Sequence, residues 1–229
     1  MNTARRYAII VAGGKGLRMG TDLPKQFIPI GGIPVLMHTL AVFERQAEEI
    51  VLVIPHDHQD YWEQLVDEYG FSVPHIVADG GDTRFQSVKN GLQALGEKTG
   101  DSDLVAVHDG VRPLVSVQTI EQLYTQAAIH GAAIPYRPIT ESIRHREGNV
   151  SKAVDRSDYI AIQTPQVFRL DMLSKAYDTE YKPLFTDDAS VFENTFDNPI
   201  ALVESNVENI KLTTPTDLII AEHLLPKDL

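Results

Sequence analysis

The sequence contains no cysteine among its 229 residues. Disulfides, thiolate catalysis and cysteine-ligated metal sites are therefore excluded. Long hydrophobic runs are also missing, because no apolar stretch approaches the roughly 20 residues that span a bilayer. No apolar signal segment precedes the first apolar run at Tyr7–Val11. We therefore expect a cytoplasmic protein with no membrane partner, although a chain without cysteine would also suit an oxidising compartment.

Net positive charge is missing as well. The 32 Asp and Glu residues outnumber the 20 Lys and Arg residues and give a net charge of −12. This excess argues against non-specific binding to nucleic acid. Cations nevertheless recur in Gly-, Pro- or Asp-containing loop motifs, at Lys15, Arg18, Lys25, Arg84, Arg112, Arg156 and Lys211. An acidic chain that keeps cations in its loops is expected to bind a small anionic ligand and no nucleic acid.

Apolar β-branched runs alternate with helix-like segments along the chain. The predicted strands are Tyr7–Val11, Ile50–Ile54, His75–Ala78, Leu104–Val107, Ala132–Pro135 and Ile200–Glu204. The predicted helices are Pro34–Glu44, His58–Tyr69, Arg84–Leu95, Val117–His130, Leu170–Asp178, Asp187–Glu193 and Pro215–Leu224. The alternation predicts one α/β domain over residues 1–229, built on a doubly wound, mostly parallel sheet. Such sheets bind ligands at the carboxyl ends of their strands.

Residues 138–163 interrupt this alternation. Glu147-Gly148-Asn149 is a hairpin turn signal between two short alternating arms. An isolated hairpin is only marginally stable in water. We therefore expect the hairpin to pack against another surface, and a second subunit is the most economical candidate.

The most informative segment follows the first predicted strand. Gly13, Gly14 and Gly16 allow the backbone to turn sharply and to approach a ligand closely. Bare N–H groups in such a loop suit phosphate oxygens, and Arg18 and Lys25 can bring positive charge to the same anion. The segment thus predicts a nucleoside triphosphate site, and the alternative is a tight loop with solvated cations.

Two better-known phosphate motifs are absent. The Walker pattern G-x-x-x-x-G-K-[ST] does not occur. The dinucleotide fingerprint is broken, because Gly14, Gly16 and Gly20 are spaced as G-x-G-x-x-x-G. No acidic residue follows at the end of a second strand, about 20 positions on. Hydride transfer from NAD is therefore disfavoured.

A second polar loop precedes the helix predicted at Arg84. Asp82 or Thr83 is the expected N-cap. Ser87, on the first turns, could hold a base or a ribose. Turn and cap chemistry alone explains this motif equally well.

A third loop, His108-Asp109-Gly110-Val111-Arg112-Pro113, follows an apolar strand. Asp109 and Arg112 could meet ribose hydroxyls and a phosphate, or they could simply pair with each other. His108 is expected to pack or to form a hydrogen bond, with no catalytic role.

Each of the later motifs, taken alone, is weak evidence for a ligand site. Arg156 and the turn Gln163–Gln166 suit surface charge and a Pro-limited turn. Thr186 or Asp187 is the expected cap of a short helix, whose N-terminus could also bind an anion. Lys211 is either solvated or a phosphate contact. Aspartates without an intervening histidine argue against a protein-ligated transition metal.

Taken together and in order, these motifs resemble the 2-C-methyl-D-erythritol 4-phosphate cytidylyltransferases of the non-mevalonate isoprenoid pathway. The likeness runs from about Tyr7 to Leu224. Its pieces are A-G-G-x-G-x-R-M-G, P-K-Q-F, G-G-D-x-R, H-D-x-x-R-P, V-D-R, Q-T-P-Q-x-F, T-D-D-A-S and N-I-K-x-T. The resemblance implies a Rossmann-like core, a protruding β-arm at about residues 138–163, and a homodimer whose arms interlock.

The resemblance also implies an activity and a set of site residues. The enzyme would transfer CMP from CTP to methylerythritol phosphate, with Mg²⁺ held mainly by the CTP phosphates. Arg18 and Lys25 would be catalytic. The nucleotide would contact Ala12, Gly13, Gly14, Gly81, Asp82 and Ser87, with Asp109 and Gly110 nearby. The second substrate would contact Arg112, Ser142, Arg156, Thr164, Thr186 and Lys211, with Ser142 and Arg156 reaching across from the partner's arm.

Two departures and two alternatives accompany this expectation. Ser142 stands where the family often has Thr, and Ala12-Gly13-Gly14 stands where it usually has Ala-Ala-Gly. Ribitol 5-phosphate cytidylyltransferases share the glycine-rich loop and P-K-Q-F, whereas V-D-R and T-D-D-A-S favour methylerythritol phosphate. A non-catalytic nucleotide-binding module on the same fold is disfavoured because both Arg18 and Lys25 are present.

Overall fold

A computed structural model describes residues 4–13, 23–96, 100 and 102–225. The strands within these ranges are β1 Arg6–Val11, β2 Pro29–Ile30, β3 Ile33–Pro34, β4 Glu49–Ile54, β5 Ile76–Asp79, β6 Leu104–Asp109, β7 Ala132–Pro138, β8 Arg144–Glu147, β9 Val150–Ala153, β10 Ile160–Ile162, β11 Gln166–Arg169 and β12 Ala201–Glu204. The α-helices are α1 Val35–Phe43, α2 Gln59–Tyr69, α3 Arg84–Leu95, α4 Val117–His130, α5 Leu170–Ala176, α6 Asp188–Glu193 and α7 Pro215–Leu224. No helix within the described ranges is both long and apolar enough to cross a bilayer.

The main sheet confirms the predicted α/β architecture. Strands β5, β4, β1 and β6 lie side by side and are parallel. Strand β11 then runs antiparallel between β6 and β7, while β12 pairs in parallel with the other edge of β7. The chain passes from β1 out to β4 and β5, and α3 then carries it back to β6 on the other side of β1. This reversal places the ligand-binding crevice of a doubly wound sheet between the carboxyl ends of β1 and β6.

Helices cover both faces of the sheet. On β1, Ala8 and Ile10 pack with residues of α1, α2 and α4, whereas Tyr7 and Ile9 pack with residues of α3, α5 and α6. Because both faces are buried, the central strands are continuous apolar runs without a polar alternation. This explains why β1, β4 and β6 were recognisable in the sequence.

Side-chain caps fix the helix starts that border the crevice. Thr83 accepts a hydrogen bond from the Gln86 backbone at 3.1 Å and begins α3. Asp187 caps α6 by accepting from the Ser190 backbone at 3.0 Å. Thr214 caps α7, which begins at Pro215. For α3 and α6 one of the two predicted cap residues is the observed cap.

Strands β8 and β9 form a separate two-stranded hairpin. Gly148, at the turn, has a φ of +60°, a conformation that glycine adopts without strain. All residues of the two strands are exposed. The predicted hairpin is therefore present, and within this protomer it buries no face against the sheet.

Candidate active site

A cavity of about 200 Å³ lies at the carboxyl end of β1. The end of β1, the turn before α3, the Lys25–Phe27 turn and the end of β6 all contribute to its walls. Eight of the residues predicted for the site line it, namely Ala12, Gly13, Lys25, Gly81, Asp82, Ser87, Asp109 and Lys211. Gly14 and Arg18 lie outside the described residues. The cavity is thus built from the loops that the sequence assigned to a nucleotide.

Two glycines are required here for close packing. A Cβ at Gly81 would lie 2.3 Å from the Gln86 side chain. A Cβ at Gly110 would lie 2.9 Å from the Cβ of Ala12, and the Gly110 N–H donates to the Val11 carbonyl at 2.8 Å. Gly110 therefore holds the ends of β1 and β6 together and does not itself line the cavity.

A second cavity of about 260 Å³ adjoins the first. Arg84, Asp109 and Lys211 line both cavities and form the wall between them. The predicted substrate contacts Arg112, Thr164 and Thr186 line the second cavity only. Three of the predicted substrate residues thus lie in a compartment next to the one that most of the predicted nucleotide residues line.

Asp109 lies close to three cationic side chains in this shared wall. Its carboxylate lies 3.0 Å from Lys211 Nζ, 3.2 Å from Arg112 Nε and 3.8 Å from Arg84 Nε. Burial alone would raise the pKa of Asp109, but Arg84, Lys211 and Arg112 together lower that pKa well below its usual range. Asp109 is therefore ionised, and three cations surround one carboxylate with an excess of positive charge.

Arg84 is held by a buried pair that sequence reasoning did not find. Its guanidinium donates two hydrogen bonds to Asp188, at 2.8 and 2.7 Å, and Tyr177 donates to the same carboxylate at 2.6 Å. Burial opposes the charge on Arg84, but Asp188 outweighs that effect and raises the pKa of Arg84. The second aspartate of T-D-D-A-S and the arginine of G-G-D-x-R were the signals available for this contact.

Gln26 is another residue that sequence reasoning missed. It is 1% exposed, lines the first cavity and donates from Nε2 to the Ala12 carbonyl at 2.9 Å. The neighbouring Phe27 ring packs on Trp62 at a centroid distance of 6.3 Å. These contacts anchor the turn that carries Lys25 to the end of β1.

The loop after β6 is joined to the loop before β11 by hydrogen bonds. Thr164 Oγ1 accepts from the Asp109 backbone N–H at 3.0 Å and lies 3.1 Å from His108 Nδ1. His108 Nε2 lies 3.0 Å from the Arg112 carbonyl oxygen. Burial lowers the pKa of His108 to about 4, so the ring is neutral near pH 7. As expected, His108 forms hydrogen bonds, and Thr164 is buried where a surface turn had been considered.

Asn209 anchors the segment that leads to Lys211. The fully buried side-chain amide of Asn209 donates from Nδ2 to the Thr164 backbone carbonyl at 2.9 Å. The backbone carbonyl of Asn209 accepts from Arg112 Nη1 at 2.9 Å. The Lys211 ammonium forms an ion pair with Asp109 at 3.0 Å, whereas the sequence analysis considered only a solvated lysine or a phosphate contact.

Two predicted substrate residues lie away from both cavities. Ser142 and Arg156 are exposed, and neither is among the described residues that line the two compartments. Arg156 donates to the Thr140 carbonyl at the base of the hairpin. Within one protomer the structure therefore does not bring Ser142 and Arg156 to the site.

The carboxylates at the site suit a metal ion that is coordinated mainly by the phosphates of a bound nucleotide. Asp82 and Asp109 line the first cavity, and Asp109 is already matched by cations. No cluster of three His, Asp or Glu side chains that could hold a metal occurs in the described part of the chain. A Mg²⁺ ion that takes most of its oxygens from phosphates and water fits this arrangement.

Two compartments that share one group of cations suit an α/β transferase that brings a nucleotide and an anionic acceptor together. Comparison with known proteins identifies which transferases these are. The family model for 2-C-methyl-D-erythritol 4-phosphate cytidylyltransferase matches residues 7–227. The chain belongs to this family.

Relatives and solved structures agree with the assignment. The 2-C-methyl-D-erythritol 4-phosphate cytidylyltransferase of Porphyromonas gingivalis is 55% identical over 221 residues, which cover 96% of this chain and 98% of the relative. The Bacteroides fragilis enzyme of the same name is 53% identical over 222 residues, which cover 96% of this chain and 99% of the relative. The crystal structure of the Francisella tularensis enzyme of that name has a TM-score of 0.80 at 34% identity, covering 97% of this chain and 100% of the other.

Proposed function

We propose that this protein transfers CMP from CTP to 2-C-methyl-D-erythritol 4-phosphate, with release of pyrophosphate and formation of 4-diphosphocytidyl-2-C-methyl-D-erythritol. The observation that carries the proposal is the pair of cavities that meet at Asp109, with Lys211 and Arg84 on the shared wall. Relatives of this name at 55% identity favour it over ribitol 5-phosphate transfer and over a non-catalytic nucleotide-binding module.

The reaction needs no general base. A phosphate monoester is already an anion near neutral pH, and it attacks the α-phosphorus of CTP in line with the departing pyrophosphate. The barrier comes from crowding of negative charge, so positioned cations are the main means of lowering it. The neutral, fully buried His108 is consistent with a site that uses no proton acceptor.

The cations divide between the two compartments. Lys25, on the wall of the first cavity, contacts the triphosphate, and Arg18 is assigned the same role from the glycine-rich loop. Arg112 lines the second cavity and Lys211 lines both, so these two hold the phosphate of the acceptor. Asp109 keeps the cations close together, because without its carboxylate they would repel one another.

The first cavity would hold a nucleotide that carries its own Mg²⁺, and the ion would offset charge on the triphosphate and on the departing pyrophosphate. Of the carboxylates that line the first cavity, Asp82 would be the one to reach the ion, since Asp109 is already paired with cations. We predict that turnover requires a divalent cation, while calorimetry of the nucleotide-free protein detects no tight Mg²⁺ binding. Tight binding without nucleotide would contradict the assignment.

The protein acts as a homodimer with shared sites. The β8–β9 hairpin is exposed along its whole length in one protomer, and a lone hairpin is only marginally stable. Packing of the hairpin on a partner would bring Ser142 and Arg156 to that partner's second cavity. The use of CTP supports a cytoplasmic location, and the net charge of −12 argues against a nucleic-acid partner.

A pyrophosphate-release assay tests the function. The four nucleoside triphosphates are each paired with methylerythritol 4-phosphate and with ribitol 5-phosphate. We expect release only with CTP and methylerythritol phosphate at appreciable rates. A higher kcat/KM with ribitol 5-phosphate, or no release with any pair, would overturn the proposal.

A further inference from the structure

The hydroxyl of Thr164 has a fixed hydrogen-bond polarity. Its oxygen accepts from the Asp109 N–H at 3.0 Å, which occupies one of its two lone pairs. The Thr164 hydroxyl then has one proton to donate and one lone pair still free. Whether the proton is donated to His108, whose Nδ1 lies 3.1 Å away, depends on the tautomer of that ring.

The histidine tautomer follows from its other contact. A carbonyl oxygen can only accept, so His108 Nε2, 3.0 Å from the Arg112 carbonyl, carries the ring proton and donates it. The ring is fully buried and neutral, so Nδ1 has no proton and presents a lone pair. Thr164 must therefore donate its hydroxyl proton to His108 Nδ1.

One lone pair of Thr164 is left for a ligand. Thr164 lines the second cavity, where the acceptor substrate is placed by the proposed function on which this inference rests. A phosphate oxygen of an ionised monoester offers no proton, so it cannot bond to that lone pair. A polyol hydroxyl can do so.

We propose that His108 is a positioning residue that makes Thr164 a hydrogen-bond acceptor, so that Thr164 selects a hydroxyl donor of the polyol and not its phosphate. The phosphate is left to Arg112 and Lys211. The substrate class this site selects is a polyol phosphate with a hydroxyl directed at Thr164, and a phosphate ester that lacks this hydroxyl is discriminated against.

Steady-state kinetics with monodeoxy analogues of methylerythritol phosphate test the proposal. For the analogue that lacks the hydroxyl bound by Thr164, we expect the wild-type kcat/KM to be about tenfold lower than with the full substrate, which is the effect of one lost hydrogen bond. Thr164→Val should lose about tenfold with the full substrate and nothing further with that analogue. Thr164→Ser should restore the discrimination. The KM for CTP should stay nearly constant, which a general structural defect would not allow.

His108→Gln separates the two bonds of the ring. A glutamine amide can keep the donor to the Arg112 carbonyl, but it removes the acceptor at the Nδ1 position. The Thr164 proton is then free to turn towards the ligand, so we expect weaker discrimination against the same analogue. Thr125→Val and His130→Gln are matched controls at exposed positions of α4 and should behave as wild type.

The tautomer can be read directly in the wild-type protein. In ¹⁵N-histidine spectra near pH 7, His108 should show a protonated Nε2 and an unprotonated Nδ1, even if the His108 variant does not fold. A protonated Nδ1, or a Thr164→Val penalty that is the same for every deoxy analogue, would overturn the proposal. Absence of pyrophosphate release by the wild type would instead refute the proposed function and leave the tautomer result standing.

Discussion

At the scale of single residues, Lys25 offers the most direct test of catalysis by positioned charge. We predict that Lys25→Ala lowers kcat far more than it raises the KM for CTP, because charge develops on the α-phosphate and leaving group in the transition state. Loss of one such contact typically costs about 2.7–4 kcal/mol of barrier, or roughly 10²–10³ in rate. Stopped-flow or steady-state pyrophosphate release measures the effect.

Lys89→Ala is a suitable control, since Lys89 lies on α3 and lines neither compartment of the site. A folded Lys25→Ala enzyme with a near-normal kcat would remove Lys25 from the mechanism. Arg18 shares the predicted role but lies outside the described residues, so its assignment stays a prediction from the sequence.

His108 also predicts a pH dependence of stability. Its pKa falls from 6.5 to about 4 on folding because the ring is buried, so the unfolded chain binds the proton more tightly. The stabilisation is complete above the unfolded pKa of 6.5 and is lost as the pH falls towards 4. Between pH 7 and pH 4 we expect this group to remove about 3 kcal/mol from the free energy of unfolding.

Denaturant titrations of the wild type and of His108→Gln across that range isolate the contribution. The variant should lose about 3 kcal/mol less on acidification. His38, whose pKa burial also lowers, is present in both proteins and cancels in the difference. Parallel pH profiles for the two proteins would show that His108 does not carry this linkage.

At the scale of secondary-structure elements, the Arg84–Asp188 pair joins the starts of α3 and α6. We predict that Asp188→Asn costs about 3 kcal/mol of unfolding free energy, because it removes the closer of the two carboxylates at a largely buried guanidinium and leaves only Asp109, at 3.8 Å. Tyr177, which follows α5 and donates to the same carboxylate, would lose its strongest acceptor. Urea unfolding followed by circular dichroism measures the change.

Asp171→Asn is the matched control. Asp171 pairs with Arg169 at 2.9 Å, but both side chains are more than a third exposed, so that pair should contribute at most about 1 kcal/mol. Equal losses in the two variants would mean that burial does not strengthen the Arg84 pair.

The elements also show what sequence patterns can and cannot predict. Helices α3, α4 and α7 have the predicted bounds, because apolar periodicity and local caps at Thr83 and Thr214 are encoded within a few residues. Strand β11 was missed because it begins directly after the Thr164-Pro165 turn and its partners, β6 and β7, are distant in sequence. Only three residues long, β10 gave no pattern to detect.

The same distinction applies to the site. Loops at the ends of β1 and β6 were predictable because parallel topology alone brings them together. The pairing of Arg84 with Asp188, 104 positions apart, and the His108–Thr164 bond, 56 positions apart, depend on tertiary packing. No local pattern specifies which cation meets which carboxylate, so these contacts are defined only by the folded structure.

At the scale of the whole molecule, the question is whether one subunit contains a complete site. Arg156 is exposed and lies outside both cavities of its own protomer, whereas Lys25 lines the first cavity. If the hairpin reaches a partner, Arg156→Ala should weaken binding of methylerythritol phosphate more than binding of CTP. The KM values of the two substrates, compared with those of Lys152→Ala on the same hairpin, measure that split.

Complementation between inactive subunits decides the arrangement. A heterodimer of Lys25→Ala and Arg156→Ala subunits, isolated through two affinity tags, has one site that combines wild-type Lys25 with the partner's wild-type Arg156. We expect that heterodimer to recover about half of the wild-type activity, since a twofold dimer has two equivalent sites. The two parental homodimers, tagged and mixed without exchange, provide the baseline. If the isolated heterodimer is no more active than the average of its parents, each hairpin serves its own subunit, because in that case neither site of the heterodimer is intact.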